Sequence, residues 1–107
     1  MGGNILEHGS LDRETLEMQA EIFKQLSHPS RLCILVNLLI KKESNVTDMK
    51  NCLSEPQSTV SQHLAKLKAA GLIKGERNGT EVIYRVINEQ VKEILINLLK
   101  RFEKGEI

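Results

Sequence analysis

The chain has no tryptophan, one tyrosine and two phenylalanines among 107 residues, so its core has to be built from Leu, Ile and Val. Its two cysteines, Cys33 and Cys52, are too few for a disulfide framework and give no hint of export. No apolar run approaches the ~20 residues that a bilayer-spanning helix needs. Met1 to Ser10 lacks a basic patch followed by an apolar stretch, so no secretory signal is read there and a cytoplasmic location is expected, with no membrane partner. Carboxylate pairs, a nucleophile motif and a phosphate-binding Gly-rich loop are all missing. The three histidines, His8, His28 and His63, are scattered. An enzyme is the weakest reading, and no cofactor is expected.

What is present fits one domain, since the length is too short for two. The formal net charge is only +1, but its distribution is uneven. Residues 1–23 carry one arginine against five acids, whereas residues 24–87 carry ten Lys or Arg against five acids. The last twenty residues balance. A basic middle between acidic and neutral ends is what a phosphate-contacting surface requires, and is equally compatible with ordinary surface charge.

Along the chain, residues 1–9, with Gly2, Gly3 and Gly9, read as a flexible arm ahead of one domain at 10–107. Ser10 is a plausible cap for a helix over residues 11–26, striped by Leu11, Leu16, Met18, Ile22, Phe23 and Leu26. Pro29 suits the first turn of a second helix. From Leu32 to Ile40 that helix is apolar nearly all round, which predicts the centre of the domain. Cys33 shares its one polar stripe with Ser30, Asn37 and Lys41. Thr47 can cap a short third helix in which Val46, Met49 and Leu53 point one way, and the pattern allows a short strand near 44–46. Ser54-Glu55-Pro56 interrupts, and a fourth helix runs from Gln57 to Ala70, where Gly71 can stop it. The period then drops to two on either side of Asn78-Gly79, a hairpin signal. Asn88 caps a last helix striped by Val91, Ile94, Leu95, Leu98 and Phe102. The fold class expected is mainly α with a small β-hairpin wing, in the order α-α-α-α-β-β-α.

A short helix, a break, a second helix and a hairpin make the plan of a winged helix-turn-helix. In the fourth helix Val60, Leu64 and Leu67 share a narrow arc and must face the core. Ser58, Gln62, Ala65 and Ala69 lie opposite, with Gln57, Ser61 and Lys66 nearby and Thr59 on the other flank. That outer face has no acid and no bulky apolar group, whereas a merely solvated helix would mix Glu with Lys. Small side chains admit a helix to the major groove, hydroxyls and amides can bond base edges, and lysine can meet phosphate. His63, beside the core arc, is either a half-buried structural residue or a DNA contact. Lys74, Arg77, Asn78 and Gly79 suit the DNA backbone or minor groove. The expected partner is double-stranded DNA. A protein-interaction module without operator binding is the competing reading.

Two stretches resemble the ArsR/SmtB repressors. These are Phe23-Lys-Gln-Leu-Ser-His-Pro-Ser-Arg-Leu-Cys-Ile-Leu and Gln57-Ser-Thr-Val-Ser-Gln-His-Leu-Ala-Lys-Leu-Lys-Ala-Ala-Gly-Leu-Ile, and the wing Arg77-Asn-Gly-Thr-Glu-Val-Ile-Tyr is similar too. The resemblance, over about residues 18–102, implies homodimers formed by helices 11–26 and 88–103. It also implies repression at near-palindromic operators and release by an inducer. Many members of that family sense metals. Here the positions matching one family site, Asn45, Thr47 and Lys50, include no thiol. Those matching the other, Asn88, Gln90, Arg101 and Lys104, include no good zinc ligand. No metal is therefore expected. Cys33, accessible on its stripe, and Cys52, half buried, are either packing residues or a thiol switch.

Overall fold

Every helix but the fourth begins where a side chain accepts a free backbone N–H. The computed structural model describes residues 11–105, so the arm expected at residues 1–9 and the cap expected at Ser10 lie outside the described residues. Asp12 caps α1 (Arg13–Leu26), its carboxylate accepting from the Thr15 N–H at 2.8 Å. That bond holds the Asp12 carboxyl below its ordinary pKa. His28 Nδ1 accepts from the Ser30 N–H ahead of α2 (Pro29–Lys41), with Pro29 at the first helical position. Asn45, not Thr47, caps α3 (Val46–Leu53), accepting from the Asp48 N–H at 2.8 Å. Asn45 is the extended residue, and its short amide reaches the third helical N–H, the geometry that makes Asn a strong cap. α4 (Gln57–Ala69) follows Pro56 without a side-chain cap. Asn88 caps α5 (Glu89–Lys104) through the Val91 N–H.

α2 is the hub, with Ile34, Leu35 and Leu38 at most 1% exposed. Met49 of α3, Val60, Leu64 and Leu67 of α4, and Val91 and Leu95 of α5 close around it. Ile40, expected inside, is 65% exposed, because helical spacing puts it on the outward stripe with Cys33 and Asn37 while Leu38 beside it faces the core. Ser54 at φ 56° and Gly71 at φ 75° end α3 and α4 in the left-handed region. After Gly71, Leu72 and Ile73 turn into the core and lead the chain into the wing.

The wing pairs β1 (Ile73–Asn78) with β2 (Glu81–Val86) antiparallel, from Ile73 opposite Val86 to Asn78 opposite Glu81. The two-residue turn is therefore Gly79-Thr80, one residue later than the Asn78-Gly79 signal suggested. Only Gly79 has positive φ there, at 66°, the pattern of a type II′ turn with Gly first. The strand allowed near 44–46 is a single bridge, in which Ser44 and Tyr84 exchange both backbone hydrogen bonds at 3.1 and 2.8 Å.

Gly75 is needed for close packing across the hairpin. A Cβ there would lie 2.8 Å from Val82 Cγ1 and 2.9 Å from Tyr84 Cε1. Gly75→Ala is expected to destabilise the domain by about 1–3 kcal/mol through overpacking, read as a lower denaturant midpoint at constant slope. Gly79→Ala, with no neighbour within 4 Å of the new Cβ but φ at 66°, should cost through backbone strain alone.

Candidate nucleic-acid interface

α4 divides into the two faces its sequence requires. Val60, His63, Leu64 and Leu67 are buried, while Gln57, Ser58, Ser61, Gln62, Ala65, Lys66 and Ala69 are exposed and Thr59 is half buried. No acid stands in its first turn, and Lys66 and Lys68 are in its last. Because Pro56 supplies no side-chain cap, the amides of Gln57 and Ser58 stay available at the positive end of the helix dipole, where phosphate binds well. The exposed residues of α4 thus offer hydroxyls, amides and a positive helix end and carry no carboxylate of their own, with Glu55 just ahead of the helix and Glu81 sharing a groove with Gln57.

The wing stands beside this face. Asn45 Nδ2 donates to Glu81 Oε1 at 2.7 Å, tying the start of α3 to the start of β2. Arg77, Asn78 and Gly79 are exposed at the tip. Among the described residues Arg77 has no ion-pair partner, so its full charge is available. Lys74 differs, since its Nζ lies 2.9 Å from Glu76 Oε1. Arg85 also approaches Glu76, at 3.6 Å, and Glu43, at 3.8 Å. The hydrogen bond from Lys74, then the Arg85 charge, hold the Glu76 carboxyl below its usual range. Lys74 is consequently a weaker attractor of phosphate than Arg77.

His63 does not belong to the outer face. It is 9% exposed, and its ring lies 4.6 Å from that of His28 with an interplanar angle of 54°. Its Nε2 is 3.6 Å from Glu55 Oε2, and the Ser30 hydroxyl donates to Glu55 Oε1. The cluster joins the start of α2, the turn before α4 and α4 itself. Its His63 is buried between these elements, while His28, Ser30 and Glu55 are half buried. Sequence inspection missed Glu55, whose only signal is an acid in the break between two helices. It also missed Arg31, a buried cation that donates from Nε to Gln25 O at 3.0 Å and from Nη2 to Lys24 O at 3.3 Å.

The remaining sequence candidates have other roles. Cys33 is half buried, with its Sγ 3.4 Å from Asn37 Nδ2. Cys52 is exposed, not half buried, because it flanks the Met49–Leu53 stripe on the solvent side, where Lys41 Nζ lies 4.0 Å from its sulfur. Both are free thiols. Of the positions that match family metal sites, Asn45 and Asn88 are helix caps. Gln90 donates to Gln19 at 2.6 Å, joining α5 to α1, and Thr47, Lys50, Arg101 and Lys104 are exposed. Among the described residues no three His, Cys, Asp or Glu side chains gather where they could hold a metal ion.

Comparison with known proteins places this geometry among relatives. Residues 26–76 match a family described as a helix-turn-helix domain. The transcriptional repressor PagR of Bacillus anthracis is 42% identical over 81 residues, which cover 76% of this chain and 81% of that protein. The transcriptional repressor SmtB of Mycobacterium tuberculosis is 38% identical over 85 residues, covering 79% of this chain. The chain spans 62% of the length of that repressor. The PagR crystal structure superposes with a TM-score of 0.73 at 40% identity, over 81% of this chain and 99% of that one. HlyU from Vibrio cholerae superposes at 0.76 with 31% identity, over 85% of this chain and 97% of that one.

Burial, then the neighbouring His28, push the His63 pKa below its ordinary value of 6.5, against an opposing pull from Glu55. The native state therefore holds its His63 proton less tightly than the unfolded chain does. Stability from His63 is full above about pH 6.5 and is lost as pH falls toward the lowered native pKa. Denaturant titrations from pH 8 to pH 5 should show this loss, and His63→Asn should shrink it. An unchanged slope in that variant would assign the pH dependence elsewhere.

Proposed function

The chain belongs to the ArsR/SmtB family of winged helix-turn-helix transcriptional regulators, and from that premise we propose that it is a cytoplasmic homodimeric repressor reading a near-palindromic operator in duplex DNA. The observation that carries this reading is the exposed, acid-free outer face of α4 beside an exposed Arg77 at the wing tip. α4 enters the major groove, where Ser58, Ser61 and Gln62 meet base edges. Gln57 and Thr59 meet the backbone at its mouth. Lys66, Arg77, Asn78 and Gly79 contact phosphate or the minor-groove edge, and Lys74 contributes less because Glu76 shares its charge. His63 contributes by holding α4 against α2. Its named relatives are transcriptional repressors, which supports repression over catalysis or a protein-docking role. No described helix is long and apolar enough to cross a membrane.

A second copy supplies the symmetry that a near-palindromic site demands. Leu16, Met18 and Phe23 of α1 and Ile96 and Phe102 of α5 are 44–63% exposed, on the two helices where the family resemblance puts the dimer. Covering what is still exposed of each such side chain is worth roughly half the 1.5–3 kcal/mol of full burial, and five of them on each protomer support a dimer at micromolar concentration. Sedimentation equilibrium of the parent should show that dimer, and Met18→Glu with Phe102→Glu should yield a folded monomer. A monomeric parent at tens of micromolar would refute it.

Specific and general contacts separate by salt. Gln62→Ala should weaken operator binding, with a loss of about 1–3 kcal/mol, while leaving a scrambled duplex nearly unaffected. Arg77→Ala should weaken both and flatten the slope of log affinity against log salt by about one. If Gln62→Ala weakens both duplexes equally, α4 is not the reader of sequence.

A further inference from the structure

Where the end of α1, the start of α2 and the end of α4 meet, a cleft of about 360 Å³ opens. Glu21, Lys24 and Gln25 line one side, Arg31 and Lys66 another, and Ala69 and Ala70 form an apolar wall. Three cations face one acid, so the cleft attracts an anion. Arg31 is only 7% exposed, and among the described residues it has no carboxylate partner. Its two hydrogen bonds go to carbonyls of Gln25 and Lys24, whereas a guanidinium has five donors in a fork matched to a carboxylate. Those carbonyls, in the last turn of α1, offset part of the charge, and the donors they leave free can pair with a ligand carboxylate.

A second orphan lies beside it. Gln25, 6% exposed, donates its amide to Glu21 Oε1 at 2.9 Å, but its Oε1 is buried and accepts nothing. That oxygen calls for a donor, which a ligand can bring once the Glu21–Gln25 pair opens slightly. The negative charge of Glu21, beside it, favours a donor that is positive. A carboxylate for Arg31 and Lys66 together with a cationic donor for Gln25 and Glu21 describes one small molecule.

We propose that this cleft is an effector site for a free α-amino acid. Its carboxylate pairs with Arg31 and Lys66, its ammonium sits between Gln25 Oε1 and Glu21, and its side chain lies along Ala69 and Ala70. The site touches α1, one of the helices assigned to the dimer, and α4, the helix assigned to DNA. Occupancy would draw Lys66 away from phosphate, so the consequence for DNA rests on the function proposed above, while binding itself does not.

Calorimetry on the DNA-free protein tests it, with each of the twenty L-amino acids to 10 mM. For each ligand that binds, the matched amine without a carboxylate and the matched α-hydroxy acid follow. At least one L-amino acid should bind at one site per chain, at least tenfold more tightly than either analogue. Lys24→Gln, which leaves the Lys24 carbonyl to Arg31, should weaken binding a few-fold, and Glu21→Gln at least tenfold, with circular dichroism unchanged. A gel-shift salt series then reads the consequence, a slope flatter by about one when ligand is present. Absence of binding by every amino acid overturns the proposal. So does equal binding of the hydroxy acid, or undiminished binding to Glu21→Gln. Ligand binding without any change in DNA affinity keeps the site and instead overturns the role given to Lys66.

Discussion

Burial of the aliphatic face of α2 is the interaction on which the rest depends. With three aromatic residues in the whole chain, no single large side chain can anchor the core. Ile34, Leu35 and Leu38 have to be surrounded on all sides instead. α3, α4, the first residues of β1 and the first half of α5 each contribute one or more buried aliphatics to that shell. β2 adds Val86, and a domain of this size has little core to spare from any element. α4 can then bury no more than one arc, and its opposite face is left to solvent.

That geometry explains the division of labour within α4. Val60, Leu64 and Leu67 fix the helix by packing, which sets its distance from α2 but constrains its rotation weakly. Polar contacts supply direction. Glu55 faces Ser30 on one side and His63 on the other, and His63 rests against His28. The cluster is only partly satisfied, since Glu55 Oε2 and His63 Nδ1 are buried without a hydrogen-bond partner, so the Ser30–Glu55 bond and the His28–His63 contact supply the direction. The backbone bridge between Tyr84 and the buried Ser44 ties the wing to the body, with the exposed Asn45–Glu81 bond beside it. The outward face of α4 and the tip of the hairpin are thereby held in one relative placement. A rigid reader of a duplex needs that placement, because its side chains must arrive at base edges and phosphates together.

The ends of the chain follow another logic. α1 and α5 each place part of an apolar stripe on the core, through Ile22, Leu26, Val91, Leu95 and Leu98. Both leave the remainder uncovered, with Phe23 and Phe102 more than half exposed. The stripes are longer than one small core can absorb. They set the terminal helices apart from α2, whose Ile34, Leu35 and Leu38 are consumed inside the domain and which leaves only Ile40 among its large apolar residues exposed.

Much of this was legible in order along the chain. Local patterns with a single physical meaning carried over well: the 3.6-residue stripes, Pro29 at a helix start, Gly71 at a helix end, Asn88 as a cap and the change of period into the hairpin. The acid-free face of α4 was legible too, since Val60, Leu64 and Leu67 settle which side is buried. Finer choices were lost where two residues could serve locally. Thr47 and Asn45 are both caps by type, and only the backbone decides which is extended. Asn78-Gly79 and Gly79-Thr80 are both turns by composition, and the pairing of Asn78 with Glu81 chooses between them. His63 was ambiguous because an arc boundary on a helix wheel says nothing of what lies against it. Sequence alone thus determined element type, order and the two-faced character of α4, because these depend on neighbours within a few residues. Tertiary structure alone decided the burial of His63 and Arg31, the pairing of Lys74 with Glu76 and the exposure of Cys52. Each depends on groups distant in sequence, or on which neighbours reach a given side of a helix, and no local pattern encodes either.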